Sequence, residues 1–498
     1  MSEGRLSGDR PEGKNGKAPN HRPEPMTAGR NRIPENVQKI HLIGACGTGM
    51  GALACMLKDR GHDVTGSDEN VYPPMSDFLA RKNIPVTNAY SPRNLSPAPD
   101  LVVVGNTVRK DNPEARELRR LGLFFCSMPQ AVSHFMAAGK TSIVAAGSHG
   151  KTTTSSLAAW ILHEAGLDPS FMIGGILGNF DSNHRDGKGP HIVIEGDEYD
   201  TAFFDKGSKF LHYAPDIAIL TSVEFDHADI FTDLDHVMAA FDAFISILPP
   251  DGTLLAFDGD ENIARLLAGR DRPSELYGLK RRSPWSLGRF SPGPGKSSFS
   301  VFRHGEFFGD FRIPMVGRHN MLNALAAIAA AHLLGVPRRI IKSALAAFKG
   351  VKRRQEIRGV KNGVTVIDDF AHHPTAVRET VDGVKSAYPG RRLIAVFEPR
   401  THSSRRNVFQ SHYPLSFDRA DVVCVRKPPF LDTLPEKIRF SSQKLVSDLQ
   451  KRQKEAFYFS NADAIVDFIA AGARPGDIAL VMSNGGFERI HEKLLDRL

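Results

Sequence analysis

The stretch Ala145-Ala146-Gly147-Ser148-His149-Gly150-Lys151-Thr152-Thr153-Thr154 constrains the fold of this 498-residue chain more than any other. The apolar run from Thr141 to Ala145 predicts a buried strand, and Thr152 to Gly166 predicts a helix with Leu157, Trp160 and Ile161 on one face. A strand joined to a helix by a glycine-rich loop is the start of a parallel α/β sheet, with the loop at the carboxyl end of the strand. Gly147 and Gly150 let the backbone turn its N–H groups toward an anion. The helix start adds positive dipole, Lys151 a point charge, and the Thr152 hydroxyl a hard oxygen for Mg²⁺. The general pattern is G-x-x-x-x-G-K-[ST], and Ala145 stands where its first glycine would be. A nucleotide phosphate site is expected at Gly147, Ser148, His149, Gly150, Lys151, Thr152 and Thr153. A glycine-rich turn before an ordinary helix is the alternative.

The chain is too long for one core and is expected to form about three domains. Its net charge of +8 is a weak excess for this length and sits partly in the N-terminal tail. Polyanionic substrates explain it without nucleic acid, and no aromatic-basic single-strand module is visible. Four cysteines without metal spacing predict neither a disulfide framework nor a zinc site, and favour the cytoplasm. The longest nearly apolar helical stretch, Ala324 to Val336, is too short to span a bilayer. Membrane insertion is not expected, and monomer and homodimer are equally compatible with the sequence.

Residues 1–38 contain almost no large apolar residues and are expected to be a disordered tail. From Lys39 the strand Ile40 to Ile43 precedes Gly44-Ala45-Cys46-Gly47-Thr48-Gly49-Met50-Gly51 and a helix to Arg60. A second strand then runs through Val64 into Ser67-Asp68. This is the opening βαβ of a Rossmann-like domain, residues 39–140, with glycines for close approach to a diphosphate and an acidic residue at the second strand's end. Alone it suggests NAD, although the spacing is G-x-x-G-x-G and any diphosphate uses the same physics. The strand Leu101 to Val104 places Asn106 at a further carboxyl end.

Residues 141–349 form the expected P-loop domain with a mostly parallel sheet. The strands His191 to Ile194 and Asp216 to Leu220 end at Glu195-Gly196-Asp197-Glu198 and Glu224-Phe225-Asp226-His227, so Glu195 and His227 are placed to meet Mg²⁺ or its waters. Residues 281–297 read as a surface connection, and Ser298–Phe302 with Glu306–Phe308 as a hairpin around His304-Gly305. Asn320 and Asn323 share one face at the start of an alanine-rich helix. A second Rossmann-like unit, residues 350–498, has strands ending at Asp368-Asp369, Glu398-Pro399-Arg400 and Ser483-Asn484.

These pieces in this order resemble the Mur ligase family of ATP-dependent amide-bond-forming enzymes of bacterial cell-wall metabolism. The resemblance covers residues 39–498 and rests on Gly-Ser-His-Gly-Lys-Thr-Thr-Thr, Glu-Gly-Asp-Glu, Glu-Phe-Asp-His, Gly-Arg-His-Asn-x-x-Asn-Ala, Arg-Arg-x-Glu and Asp-Asp-x-x-His-His-Pro-Thr. It implies a UDP-sugar in the first domain, on Gly44, Gly47, Thr48, Gly49, Met50, Ser67, Asp68 and Asn106, in place of NAD. It implies ATP and Mg²⁺ in the second domain and an amine substrate in the third. Asn320, Asn323, Arg354 and Asp369 are implied to contact the nucleotide; Lys151, Glu195, His227, Arg354 and Asp369 to be catalytic; Thr152, Glu195 and His227 to hold metal. UDP-N-acetylmuramate is the implied acceptor and the murein tripeptide L-Ala-γ-D-Glu-meso-diaminopimelate the implied amine, met by His373, Arg400 and Asn484, in peptidoglycan recycling. Two alternatives are L-alanine as the amine, and a module that senses the UDP-sugar and ATP without ligating. Ser148, Gly196 and Gln355 depart from the family pattern. Ser148 keeps a hydroxyl, Gly196 is expected to loosen a turn, and Gln355 to alter packing near ATP.

Overall fold

The computed structural model describes residues 28–272 and 274–498. Three sheets organise it. The first is all parallel, with Leu101–Val104 and Phe125–Ser127 on one side of the strand Lys39–Ile43 and Asp63–Ser67 and Val86–Thr87 on the other. The chain therefore leaves the first strand toward both sides in turn, which opens a crevice at the carboxyl ends, just beyond Gly44. Gly44 takes φ +83° there, and its N–H donates to Ser67 O.

The second sheet has ten strands. Thr141–Ala146 lies between His191–Gly196 and Ile217–Leu220, all parallel and fully buried in their middles, as continuous apolar runs require. Helix Lys151–Glu164 covers this strand and is itself covered by Arg318–Leu333, whose alanines from Ala324 to Ala331 are buried on every side. Small side chains let the two helices approach closely. Trp160 closes the layer by donating its indole N–H to Ala344 O at 2.8 Å.

The third sheet has five parallel strands, Val364–Asp369, Ile478–Met482, Leu393–Phe397, Val422–Arg426 and Glu455–Phe459, and an antiparallel edge strand, Glu356–Lys361. The crossing segment is stitched to the central unit: Lys352 N–H donates to Ile176 O and Gly178 N–H to Gly350 O, both at 2.9 Å. Among the described residues no helix is long and apolar enough to cross a membrane.

Two expectations are corrected. Residues 1–27 of the expected disordered tail lie outside the described residues, but 31–38 are seated on the first domain. Asn31 bridges Phe125, Arg30 and Arg32 lie 4.6 and 5.3 Å from the Phe124 ring centre, and Ile33 and Val37 pack on the core. Too apolar-poor to fold alone, this segment borrows the surface of the domain it precedes. Residues 281–297, expected as a surface connection, are mostly strand. Trp285–Gly293 pairs in parallel with Ser274–Gly278 and antiparallel with Lys296–Arg303, turning at Pro294-Gly295. Pro292, Gly293, Pro294 and Gly295 sit at the hairpin tip. Trp285, by contrast, is fully buried and donates to Glu275 Oε2 at 2.7 Å. We expect Trp285→Ala to lower unfolding stability by about 3–5 kcal/mol, measured by chemical denaturation, because it empties a packed site and orphans Glu275.

Candidate active site at the phosphate loop

The loop Gly147–Gly150 is shaped by what presses on it. Gly147 has φ +135°, and a Cβ there would collide with Thr221 Oγ1 and with Ser222 N at 2.8 Å. Gly150 has φ +83°, and its Cβ would lie 2.5 Å from Asn323 Oδ1. Neither position admits a side chain. Asn323 therefore braces the loop from the alanine-rich helix, while Asn320 donates to Val316 O at 2.8 Å and to Gln355 Oε1 at 3.2 Å. Helix Lys151–Glu164 begins at Gly150 with no side-chain cap, so its first N–H groups remain directed at the loop mouth. Ser148 Oγ donates to Glu224 O at 3.0 Å and accepts from Glu224 N–H at 2.8 Å.

Charges line up at the mouth. Lys151 Nζ donates to Gly147 O at 2.6 Å and pairs with Glu198 at 2.8 Å; Glu198 Oε1 also lies 3.0 Å from His227 Nε2. Burial opposes ionisation of all three, and their mutual attraction outweighs it. The Glu198 carboxyl is held below its ordinary range, and Lys151 and His227 above theirs. Beside them the Thr152 hydroxyl donates to Glu195 Oε1 at 2.9 Å and accepts from Arg354 Nη2 at 3.2 Å; Glu195 Oε2 takes the Gly174 N–H at 2.7 Å. The loop is thus tied directly to the third unit.

Around Arg354 the third unit forms a second wall. Asp369 accepts the backbone N–H groups of Gln355 and Ala371 at 2.9 and 2.8 Å. Its pKa is raised, burial outweighing the attraction of Arg354, and burial lowers that of Arg354. Arg353 and Arg354 both lie over the Phe370 ring, at 5.1 and 4.6 Å. Arg353 also donates to Ser483 O at 2.5 Å and Gly485 O at 2.8 Å. Farther along the strand ends, Arg400 stacks on Phe430 at 5.7 Å, Arg426 pairs with the fully buried Glu398 at 2.7 Å, and Asn484 Oδ1 is buried without a hydrogen-bond partner.

The structure brings Lys151, Thr152, Glu195, His227, Asn323 and Arg354 together with Asp369 nearby. Thr153 is buried beneath the loop. His373 lies against His149 and Glu224. In the first unit Gly47 and Thr48 are exposed at an uncapped helix start, Gly49 packs toward Met128, Met50 is buried, and Asn106 is exposed opposite. Ser67 donates to Glu114 at 2.7 Å, and Asp68 takes the Cys46 and Asn70 N–H groups at 2.9 and 3.0 Å. The Asp68 carboxylate and the Ser67 carbonyl, which accepts the Gly44 and Ala45 N–H groups, shape the glycine loop, while the Ser67 hydroxyl is taken up by Glu114.

Sequence reasoning missed Glu114, a fully buried carboxylate joined by His41, Ser67, Ser91 and Asn94. It gave Glu198 no role, though its place in the acidic turn after a strand was the available signal. It also missed Gly174 and Gly175, where side chains would collide with Glu195, Thr152 and Val351. Gly196 does not loosen a turn: it closes the strand His191–Gly196, and a Cβ would lie 2.8 Å from Val144 Cγ1. Gln355 joins the two units through Val316 N–H and Asp369, at φ +52°.

Models of the Mur ligase family, catalytic domain, the Mur ligase middle domain and the Mur ligase, glutamate ligase domain match residues 39–140, 145–331 and 353–485. The chain is 40% identical over 462 residues to the UDP-N-acetylmuramate--L-alanyl-gamma-D-glutamyl-meso-2,6-diaminoheptandioate ligase of Escherichia coli, covering 92% of this chain and 98% of the relative. It is 34% identical over 466 residues to a UDP-N-acetylmuramate--L-alanine ligase of Caldanaerobacter subterraneus, covering 93% and 98%. Among solved structures, a murein peptide ligase of Psychrobacter arcticus matches at 35% identity and a TM-score of 0.68, covering 93% of this chain and 98% of the other.

Glu224 offers a stability test at the edge of this site. Burial raises its pKa, but His149, His373 and the Thr375 hydroxyl overcome that and bring it from 4.5 to about 2. The folded value lies below the unfolded one, so the contribution is present above pH 4.5 and lost as pH falls toward 2. We expect Glu224→Gln to cost about 1–2 kcal/mol at pH 7, allowing for the side chain's partial exposure, and nearly nothing at pH 2, measured by denaturant titrations.

Proposed function

The chain belongs to the Mur ligase family, and we propose on that premise that it joins the tripeptide L-Ala-γ-D-Glu-meso-diaminopimelate to UDP-N-acetylmuramate with hydrolysis of ATP, in peptidoglycan recycling. The observation that carries the reading is the Arg354–Thr152 hydrogen bond at 3.2 Å, which brings a side chain of the third unit into the phosphate loop of the second. A nucleotide fits here because the cradle rejects any Cβ at Gly147 and Gly150 and its helix start carries no side-chain cap. The Thr152 hydroxyl and the Glu195 carboxylate supply the hard oxygens Mg²⁺ prefers, with His227 beside them; bound there, the ion would offset charge on the phosphates.

In the proposed reaction the lactyl carboxylate of the muramyl group attacks the γ-phosphate, giving an acyl phosphate and ADP. The tripeptide amine then attacks the acyl carbon; the C–N bond forms, the acyl C–O bond breaks, inorganic phosphate leaves and the amine loses a proton. Lys151 is held at the mouth by Glu198 and swings onto the transferring oxygens. Arg354 adds a second positive charge from the opposite wall. Glu198, 3.0 Å from His227 Nε2, positions that ring beside the same oxygens. Water must be excluded from the acyl phosphate, and closure of the third unit over the loop achieves this. Gly44, Gly47 to Met50 and Asn106 present backbone and side-chain groups to the UDP-sugar, while Ser67 and Asp68 hold that loop. The tripeptide carries several carboxylates where L-alanine carries one. Arg400, lying over Phe430 just past the strand Leu393–Phe397, suits the larger anion, and the buried, unpartnered Asn484 Oδ1 suits an N–H group of the peptide. Identity of 40% to the tripeptide ligase against 34% to the L-alanine ligase supports the same choice.

Amide product measured with UDP-N-acetylmuramate and either amine tests the substrate. We expect turnover with tripeptide and little with L-alanine. Equal turnover with L-alanine alone would sink the assignment, and absence of product with either would favour a sensing module. Lys151→Ala is expected to lower kcat by about 10²–10³-fold with the fold intact by circular dichroism.

A further inference from the structure

His149, Glu224 and His373 form a cluster that the proposed ligation does not use. One ligand atom from each lies within 4.8 Å of the others. His149 belongs to the phosphate loop, Glu224 follows the strand Ile217–Leu220, and His373 caps the helix Pro374–Ala387 of the third unit. His149 Nε2 and His373 Nδ1 each stand 3.4 Å from Glu224 Oε2. Bonds of about 2.0–2.1 Å from Zn²⁺ to nitrogen or oxygen give a tetrahedron with an edge of roughly 3.3–3.4 Å. Two edges of such a tetrahedron are already in place. The third edge, His149 to His373, lies within 4.8 Å and has to shorten to complete the tetrahedron.

A second observation points to a cation. His373 Nε2 faces Phe225 O at 3.2 Å, so the ring carries its proton there. Its Nδ1 lone pair then accepts the Thr375 N–H at 3.3 Å and also faces the Glu224 carboxylate. Lone pair and carboxylate oxygen are both acceptors with no proton between them, and a cation bound there would take the lone pair from the long Thr375 N–H contact. Behind Glu224 and His373 a cavity of about 240 Å³, also lined by Thr375 and His412, gives access and room for a water as fourth ligand.

We propose that His149, Glu224 and His373 form a binding site for a borderline transition cation such as Zn²⁺, separate from the site of Thr152 and Glu195, that ties the phosphate loop to the third unit. Two imidazoles and one carboxylate select such a cation over Mg²⁺. Thr375, donating to Glu224 Oε2 at 2.7 Å, orients the carboxylate from outside the ligand set.

Co²⁺ titrated alone into the full chain is the probe, since four-coordinate Co²⁺ has intense visible bands that six-coordinate Co²⁺ lacks. One intensely coloured equivalent is expected. His149→Gln and His373→Gln should each weaken it by at least about 100-fold, Thr375→Val by about tenfold, and Glu195→Gln not at all. Zn²⁺ alone should raise the Tm of the wild type and of Glu195→Gln but not of Glu224→Gln, a near-isosteric change that guards against misfolding of the histidine variants. The proposal is overturned if no intense bands appear, if both histidine variants bind as the wild type does, or if only Glu195→Gln abolishes the colour.

Discussion

The hydroxyl of Thr152 is the point on which the arrangement depends. It donates to Glu195 at 2.9 Å and accepts from Arg354 at 3.2 Å, so one oxygen joins the phosphate loop, the neighbouring strand and the third unit. Its position follows from the helix start behind two glycines that admit no side chain. The glycines in turn are fixed by Thr221 and Asn323 pressing from opposite sides. A shift in any of these would move the hydroxyl relative to both charged partners.

The surrounding charges are individually costly to bury and become tolerable only as a set. Lys151, Glu198 and His227 form a chain in which each charge is held by the next. Arg354 and Asp369 attract each other within the third unit, but there burial outweighs the attraction, and Asp369 is satisfied by backbone N–H groups. Removing one member leaves a buried charge unmatched, so the site is cooperative by construction. This also means that Lys151 and Arg354 are stored close to where phosphoryl charge would develop. The desolvated setting strengthens them there.

Legibility varied with the range of the interaction. The strand and helix at Thr141–Glu164, the strands Leu101–Val104, Leu393–Phe397 and Ile478–Met482, and the His304-Gly305 turn were readable because each depends on local pattern and turn chemistry. Trp285–Gly293 was misread because its Pro and Gly content describes the hairpin tip while its buried tryptophan describes the body. Residues 31–38 were misread because their apolar partners lie near Phe124, far along the chain. Glu114 and Glu198 look like any other acid in a polar stretch; only their partners, remote in sequence, distinguish them.

The sequence by itself determined the family, the three-part α/β organisation and the chemistry of the phosphate loop, because glycine spacing, strand-end carboxylates and the Lys-Thr pair are local signals. The tertiary structure alone decided that Arg354 reaches Thr152, that Gln355 bridges Asn320 and Asp369, and that His149 meets His373 across Glu224. These contacts join residues more than thirty to two hundred positions apart except where Gln355 meets Asp369. Packing of one unit against another sets them, and no periodicity within a single segment encodes where a distant side chain will arrive.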